Sequence, residues 1–435
     1  MDRRQFFAGL AAAILAARAH ADPARSEPEF TDDELLDAVL NEIEAFAGQS
    51  VSRLSAESVE GPDKAIMLVS ALNASFEVPP LSQELIAALS AKSYWDTPLA
   101  DRPQPEWPSS RAPDYLHLNA YSPPPEAFSV SGTLLAFLAD RNDFPLATAG
   151  DIVVFGLRGC TIAGGETHKD WASEHALIVD PPTHLAQKCV LGLWRRSDNM
   201  VAVFRGSTVP AAHNIFTSLF VQGNGTSLLP TGFYTYNRGT HKASKPASAQ
   251  RGAMLISGQY PVLRTAASLV YDPFLPTTAW TLGAAHNIHA AGHGDVFNSA
   301  GCQVVHGNYV KPARTRTTGA WDIFRQFAGT AGPGGAAPSG DAQKRFRYML
   351  LTGLEAALAH EGSPGFSEAY RPLRIGSRGP RVAALQADLM MGAGLGIVTS
   401  ADGDFGPRTA FGVLAASKSG YGDYATPISA ALTTD

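Results

Sequence analysis

The chain has 435 residues, 45% of them hydrophobic and 17% charged, with a net charge of −6. That length suits two or three domains with a sizeable core, and the composition excludes wholesale disorder. The mild acidity argues against a nucleic-acid partner, which calls for a basic face.

In chain order, Asp2-Arg3-Arg4-Gln5-Phe6-Phe7 places two arginines ahead of an apolar run over residues 6–17. The run ends in Ala19-His20-Ala21, an A-x-A cleavage site with Ala21 at the cut. Twin arginines followed by Phe resemble the twin-arginine export signal, so residues 1–21 are expected to be an address and the mature protein to reside in the periplasm. No later segment reaches about 18 uninterrupted apolar residues, so no stable membrane span is expected after cleavage.

Residues 22–148 read as a helical and irregular region. Thr31 offers an N-cap to a helix over 31–48, further helices are expected near 63–75 and 82–92, and 97–126 form a Pro- and aromatic-rich wrap. From 149 the texture becomes β-rich. Strands are expected at 151–157, 176–179, 189–194 and 200–204, the last two joined by the turn Arg195-Arg196-Ser197-Asp198-Asn199, and again at 232–236, 253–256 and 281–288. Short strands between Gly, Asn and Pro turns indicate a sandwich or partly closed barrel over 149–331. The stretch Gly332-Pro333-Gly334-Gly335 begins a connecting segment over 332–370, within which 344–359 fits helix or strand.

In residues 371–435, Gly379-Pro380 starts a helix whose face is Val382, Leu385 and Leu389. Asp402-Gly403 makes a tight turn, Phe405 plugs the core, and a second helix runs from Thr409 to Leu414. The run Leu373 to Gln386 followed by Asp402-Gly403-Asp404-Phe405-Gly406 resembles the small peptidoglycan-binding domain of the PG-binding-1 type. Its usual terminal aromatic-Gln pair is replaced by Ala415-Ala416-Ser417. The fold class expected for the whole is multidomain α+β: a β-rich catalytic domain, a helical N-terminal region and a small three-helix C-terminal domain.

The chemistry concentrates between Ala285 and Val305. Cys302 follows Ser299-Ala300-Gly301, with His286, His289 and His293 just upstream. A thiol with an ordinary pKa of about 8.5 becomes a nucleophile when an imidazole takes its proton. Gly301 lets the backbone approach a substrate carbonyl, and the amides around Gly301 and Cys302 are candidates for an oxyanion site. Ile288-His289 followed by Ser299-Ala300-Gly301-Cys302 resembles the catalytic motif of the L,D-transpeptidase (YkuD) family. Leu229-Pro230-Thr231-Gly232-Phe233-Tyr234 resembles that family's segment ahead of it, and the likeness spans residues 190–326. Gln303-Val304 stands where the family has Ile-Arg, and Ala300 where it has His or Lys.

The resemblance implies a cysteine enzyme that acts on peptidoglycan stem peptides and needs no cofactor or metal. Cys302 would be the nucleophile and His289 the base, with Ser299 and Gly301 shaping the site. His286 and His293 are the other candidates for the base. Two rival readings are a zinc peptidase using His286, His289 and His293 with Asp295, and a wall-binding scaffold without catalysis. The three cysteines of the chain suggest, in an oxidising compartment, one bridge and one free thiol, with Cys160 and Cys189 as the pair.

Overall fold

The structure, a computed structural model, describes residues 125–216, 226–245, 248–264, 279–292, 297–311, 314, 316–331, 344–362, 371–391, 396–418 and 430–431. The expected signal with Ala21, the N-terminal helices, nearly all of the aromatic wrap and the Gly/Pro stretch at 332–340 lie outside the described residues.

Strand β1 (Ala127–Ser131) runs into helix α1 (Gly132–Arg141). Ser131 caps this helix by accepting the Leu134 amide at 3.2 Å, which satisfies a donor that every helix start leaves over. Next come β2 (Ile152–Arg158), β3 (Cys160–Ile162), β4 (His168–Ala172), β5 (Glu174–Val179), β6 (Cys189–Arg195) and β7 (Met200–Ser207). The expected hairpin joins β6 to β7, with Arg195 opposite Met200.

Helix α2 (Ala212–Phe216) and β8 (Ser227–Leu228) precede β9 (Gly232–His241), β10 (Gln250–Ile256), β11 (Tyr260–Arg264) and β12 (Ala279–Gly283). Then follow β13 (Ile288–Ala290), β14 (Gln303–Val305), β15 (Asn308–Tyr309), β16 (Thr317–Thr318) and helix α3 (Ala320–Ala328). The single strand expected over 281–288 is two strands. The chain breaks between β12 and β13, where Ala285 takes the left-handed conformation at φ 63°.

Segment 344–359 is both strand and helix, β17 (Arg345–Thr352) and then α4 (Gly353–Glu361). Thr352 caps the helix by accepting the Glu355 amide at 3.0 Å. This overturns the reading of 332–370 as a connecting segment, because β17 lies between β9 and β2 in the main sheet. The Gly/Pro-rich stretch made the neighbourhood look like a linker, whereas Phe346-Arg347-Tyr348-Met349-Leu350-Leu351 is a core strand.

The main sheet runs β14-β13-β10-β9-β17-β2-β6-β7, and β14 pairs again with β7, so the eight strands close into a barrel. The barrel is therefore closed, neither a sandwich nor partly open. β4 lies along the other part of β7. Closure at β7 needs Gly206, since a Cβ there would stand 2.1 Å from the Val304 carbonyl oxygen. Strand alternation sends Val154, Leu191, Phe204 and Tyr348 to one apolar cluster and Val153, Phe155, Leu157 and Val203 to another, so several strands are apolar on both faces.

The second cluster also holds Phe128, Leu135 and Leu138 of β1 and α1 and Ala356 and Ala357 of α4. The core of the β-rich unit thus takes in residues from Phe128 on, ahead of the boundary expected at 149.

The C-terminal module contains β18 (Pro372–Leu373), α5 (Pro380–Met391), α6 (Pro407–Lys418) and β19 (Ala430–Ala431). Two helices stand among the described residues where three were expected. Val382, Leu385, Leu389 and Phe405 are buried as read from the sequence. Gln386 ties the module together: its Nε2 donates to Asp402 Oδ1 at 2.9 Å and Thr409 Oγ1 at 3.0 Å, and its Oε1 accepts the Gly403 amide at 2.8 Å.

The module is docked on the barrel. The Phe233 amide donates to the Ile375 carbonyl at 2.8 Å. Arg374, with its side chain 1% exposed, meets Glu355, also 1% exposed, through two contacts of 3.2 Å, and donates to Thr231 Oγ1 at 2.8 Å. A buried charge left without its partner costs about 3–5 kcal/mol. We predict that Glu355→Leu and Arg374→Met each lower unfolding free energy by about that amount, and that the double variant loses much less than the sum. Denaturant melts of the three variants check this, and additive losses would contradict it.

Candidate active site

β13 and β14 are neighbours in parallel register, with Ile288 opposite Gln303, His289 opposite Val304 and Ala290 opposite Val305. Cys302 immediately precedes β14, so this register brings the thiol beside the imidazole. The Cys302 sulfur and one ring nitrogen of each of His289 and His241 lie within 4.8 Å of one another. Cys302 is partly accessible, whereas His289 is buried.

The turn ahead of the thiol is pinned on every side. Ser299 Oγ donates to the Cys302 carbonyl at 2.7 Å and accepts the Gly301 amide at 3.1 Å. The Ser299 amide donates to Asn214 Oδ1 of α2 at 2.9 Å, and its carbonyl accepts the Ala211 amide at 2.8 Å. The Ser227 amide donates to the Ala300 carbonyl at 3.1 Å. Ser299 is therefore the knot of the turn. Because the Gly301 amide is spent on Ser299, it does not serve as the oxyanion donor expected of it, which leaves the Cys302 amide as the candidate at this turn.

Gly301 itself is required, with φ at 144° and any Cβ only 2.6 Å from the Ser227 carbonyl oxygen. Gln303, the residue after the thiol, is fully buried. Its Nε2 donates to the Gly301 carbonyl at 3.3 Å, and its Oε1 accepts the Tyr348 hydroxyl at 3.2 Å. An amide satisfies both neighbours there without the cost of burying a charge.

His289 Nδ1 stands 2.8 Å from the Ala290 carbonyl oxygen, so that nitrogen carries the hydrogen and Nε2 is left as the basic atom. Burial pushes the His289 imidazole down from the ordinary 6.5 to about 3, with neighbouring His241 adding to the effect. Burial pushes the Cys302 thiol up to about 11, although the Asn287 backbone N–H and the Lys242 charge favour the thiolate. The resting pair is thus a neutral thiol and a neutral imidazole. The thiol is directed at the Ala285 carbonyl oxygen, 3.3 Å away.

His286 is not part of this cluster. It is buried, its carbonyl accepts the Tyr236 hydroxyl at 2.6 Å, and its Nε2 flanks Gly301. His293 and Asp295 lie outside the described residues. Cys160 and Cys189 are both buried free thiols, so the bridge expected between them is not formed. The hydroxyl of Thr208 donates to Cys189 Sγ at 3.3 Å, and Cys160 Sγ donates to the Leu157 carbonyl at 3.4 Å.

Sequence reasoning missed His241 and Asn287. His241 stacks on His289 with ring centroids 4.3 Å apart and planes 14° apart. Asn287 holds it from the side at 3.0 Å. His241 ends a strand far from the motif in sequence, and only the pairing of β9 and β13 with the two sides of β10 brings it in. By composition, two imidazoles and a thiol suit zinc. Rings so nearly parallel, however, cannot both aim their in-plane lone pairs at one ion unless one of them turns.

Two expectations follow. His184 and His241 are pushed by burial to about 4 and His289 to about 3. Their folded values lie below the unfolded 6.5, so the unfolded chain binds more protons between them, and stability present above about 6.5 is lost as pH falls toward 4. A denaturant midpoint lower at about pH 5 than at about pH 7 is expected, and equal midpoints would contradict it. Gly301→Ala should destabilise the fold by about 1–3 kcal/mol in denaturant melts, and a variant as stable as wild type would contradict it.

No family model matches the sequence, and no curated protein or solved structure matches it either.

Proposed function

We propose that the protein is an exported peptidoglycan-modifying cysteine enzyme of the L,D-transpeptidase kind. The observation that carries this reading is the free, partly accessible Cys302 thiol beside an imidazole whose hydrogen is committed to a backbone carbonyl. A bridged or wholly buried sulfur would have removed it. Ile288-His289 opens β13 and Ser299-Ala300-Gly301-Cys302 leads directly into its parallel neighbour β14, as a catalytic role for that motif requires.

In the proposed reaction, His289 Nε2 takes the thiol proton as the sulfur attacks the carbonyl of the third residue of a tetrapeptide stem. The Cys302 N–H faces the developing oxyanion. The C–N bond then breaks, the terminal D-Ala leaves with the proton from His289, and a thioester remains on Cys302. An amine of a second stem takes the acyl group in cross-linking, or water takes it in hydrolysis, and the thiol is restored. The neutral resting pair makes proton transfer part of the attack itself. The C-terminal module, which resembles a peptidoglycan-binding domain, would hold the glycan near the site. Among the described residues no helix is long and apolar enough to cross a membrane.

Incubation with a carbapenem and with defined muropeptides tests this. Wild type should gain an acyl adduct on Cys302 and release D-Ala. Cys302→Ala should do neither, and His289→Ala should slow both by about 10²–10⁴. A folded wild-type protein that forms no adduct would sink the proposal and favour a non-catalytic scaffold. The split between cross-linked and trimmed muropeptides separates transfer from hydrolysis.

A further inference from the structure

His241 carries no part of the reaction just described, yet it covers the face of the proposed base. We propose that His241 is a positioning residue held as a neutral aromatic plate, whose π face stabilises the imidazolium that His289 becomes when it takes the Cys302 proton.

The orientation of His241 follows from a chain of unambiguous donors. The Ile256 backbone N–H can only donate, and it meets Asn287 Oδ1 at 3.1 Å. The Asn287 amide is thereby fixed with Nδ2 toward His241, 3.0 Å from its Nδ1. An NH₂ group can only donate as well, so His241 Nδ1 must accept and carries no hydrogen. Protonating that nitrogen would set two donors against each other, and His241 is therefore locked neutral by the same amide that is anchored to β10.

The neutral ring then lies 4.3 Å from His289 at 14°. A cation over an aromatic face gains on the order of 1–2 kcal/mol when water is excluded, and His289 is 4% exposed. The resting site holds no charge on either partner, so what this contact favours is the charge-separated state of attack. Other titratable groups around the pair are Cys302, Lys242 at the end of β9, Tyr236 on β9 and His286 beside Gly301. Lys242 opposes the imidazolium, as a protonated His241 would, so the plate helps only while the Asn287 amide holds it neutral.

The inference rests on Cys302 being the nucleophile, but its test needs no wall peptide. Iodoacetamide alkylation of Cys302 in the full chain reads the sulfur's attack directly. Near neutral pH the neutral thiol attacks as its proton passes to His289, whereas at about pH 11 the sulfur attacks as a free thiolate beside a neutral imidazole. His241→Phe keeps an aromatic face and His241→Leu fills the space without one.

We expect His241→Leu to slow alkylation about tenfold near pH 7 and to match wild type near pH 11, with His241→Phe within about twofold of wild type at both. Three results would overturn the proposal: His241→Leu equal to wild type near pH 7, His241→Phe as slow as His241→Leu, or equal slowing at both pH values, which marks a merely structural role. Should either variant fail to fold, Asn287→Asp decides. It keeps the Ile256 contact but invites a proton onto His241, and neutral-pH alkylation must fall while alkylation near pH 11 holds. If alkylation behaves as expected and muropeptides are still not turned over, the proposed function fails and this inference stands.

Discussion

The site depends on the parallel pairing of β13 with β14. Three facing residue pairs fix the two short strands, and β14 is clasped on its other edge by Gly206 and Ser207 of β7. The barrel's last seam and the meeting of Cys302 with His289 are therefore one event. Side chains alternate with period two, so a slip of one residue would turn His289 to the opposite face and part the pair. The glycine that admits the seam, Gly206, and the glycine that admits the turn, Gly301, both stand where a Cβ would strike a backbone oxygen.

Around that seam the protein uses neutral polar contacts in place of charges. Gln303 bridges Tyr348 and the Gly301 carbonyl, Asn214 receives Ser299, and Asn287 links β10 to His241. Gln303 and Asn287 occupy buried places where an ion would need a buried counter-ion. Fixed charges are kept for support: Arg158 donates to Thr208 and to the Leu229 carbonyl, bracing the loops that flank the turn. The Arg374–Glu355 pair braces the module behind it. A thiol and an imidazole that both rest neutral leave the energy of charge separation to be met at the moment of attack, by the imidazole, its stacked neighbour and the Cys302 amide.

Most of the barrel was legible in the sequence because its strands are apolar and bounded by turn residues. β2, β6, β7, β9 and β10 fall where alternation and composition placed them, as does β5 in the three-stranded sheet beside the barrel. β17 was obscured by the Gly/Pro stretch before it and by an apolar run that suits two periodicities, which is why it read as connector. Nothing local reports that a strand will be inserted between two others far from it in sequence. The same reason hid His241, whereas Asn287 lies close to His289 in sequence and was passed over because an asparagine there carries no catalytic signature of its own. Cys302, His289, Ser299 and Gly301 could be read because they share one short segment, whereas the partner that β9 contributes depends on β9 and β13 flanking β10. The spent Gly301 amide could not be foreseen either, since Ser299's preference for that donor is set by the fold of the turn.

The most direct test of the central claim is the mass of the enzyme during turnover. Protein mixed with a defined disaccharide-tetrapeptide and quenched in acid should carry the acyl remnant of the stem without its terminal D-Ala, and peptide mapping should place it on Cys302. A folded protein that releases D-Ala with no adduct on Cys302, or with the adduct on another residue, would contradict the account.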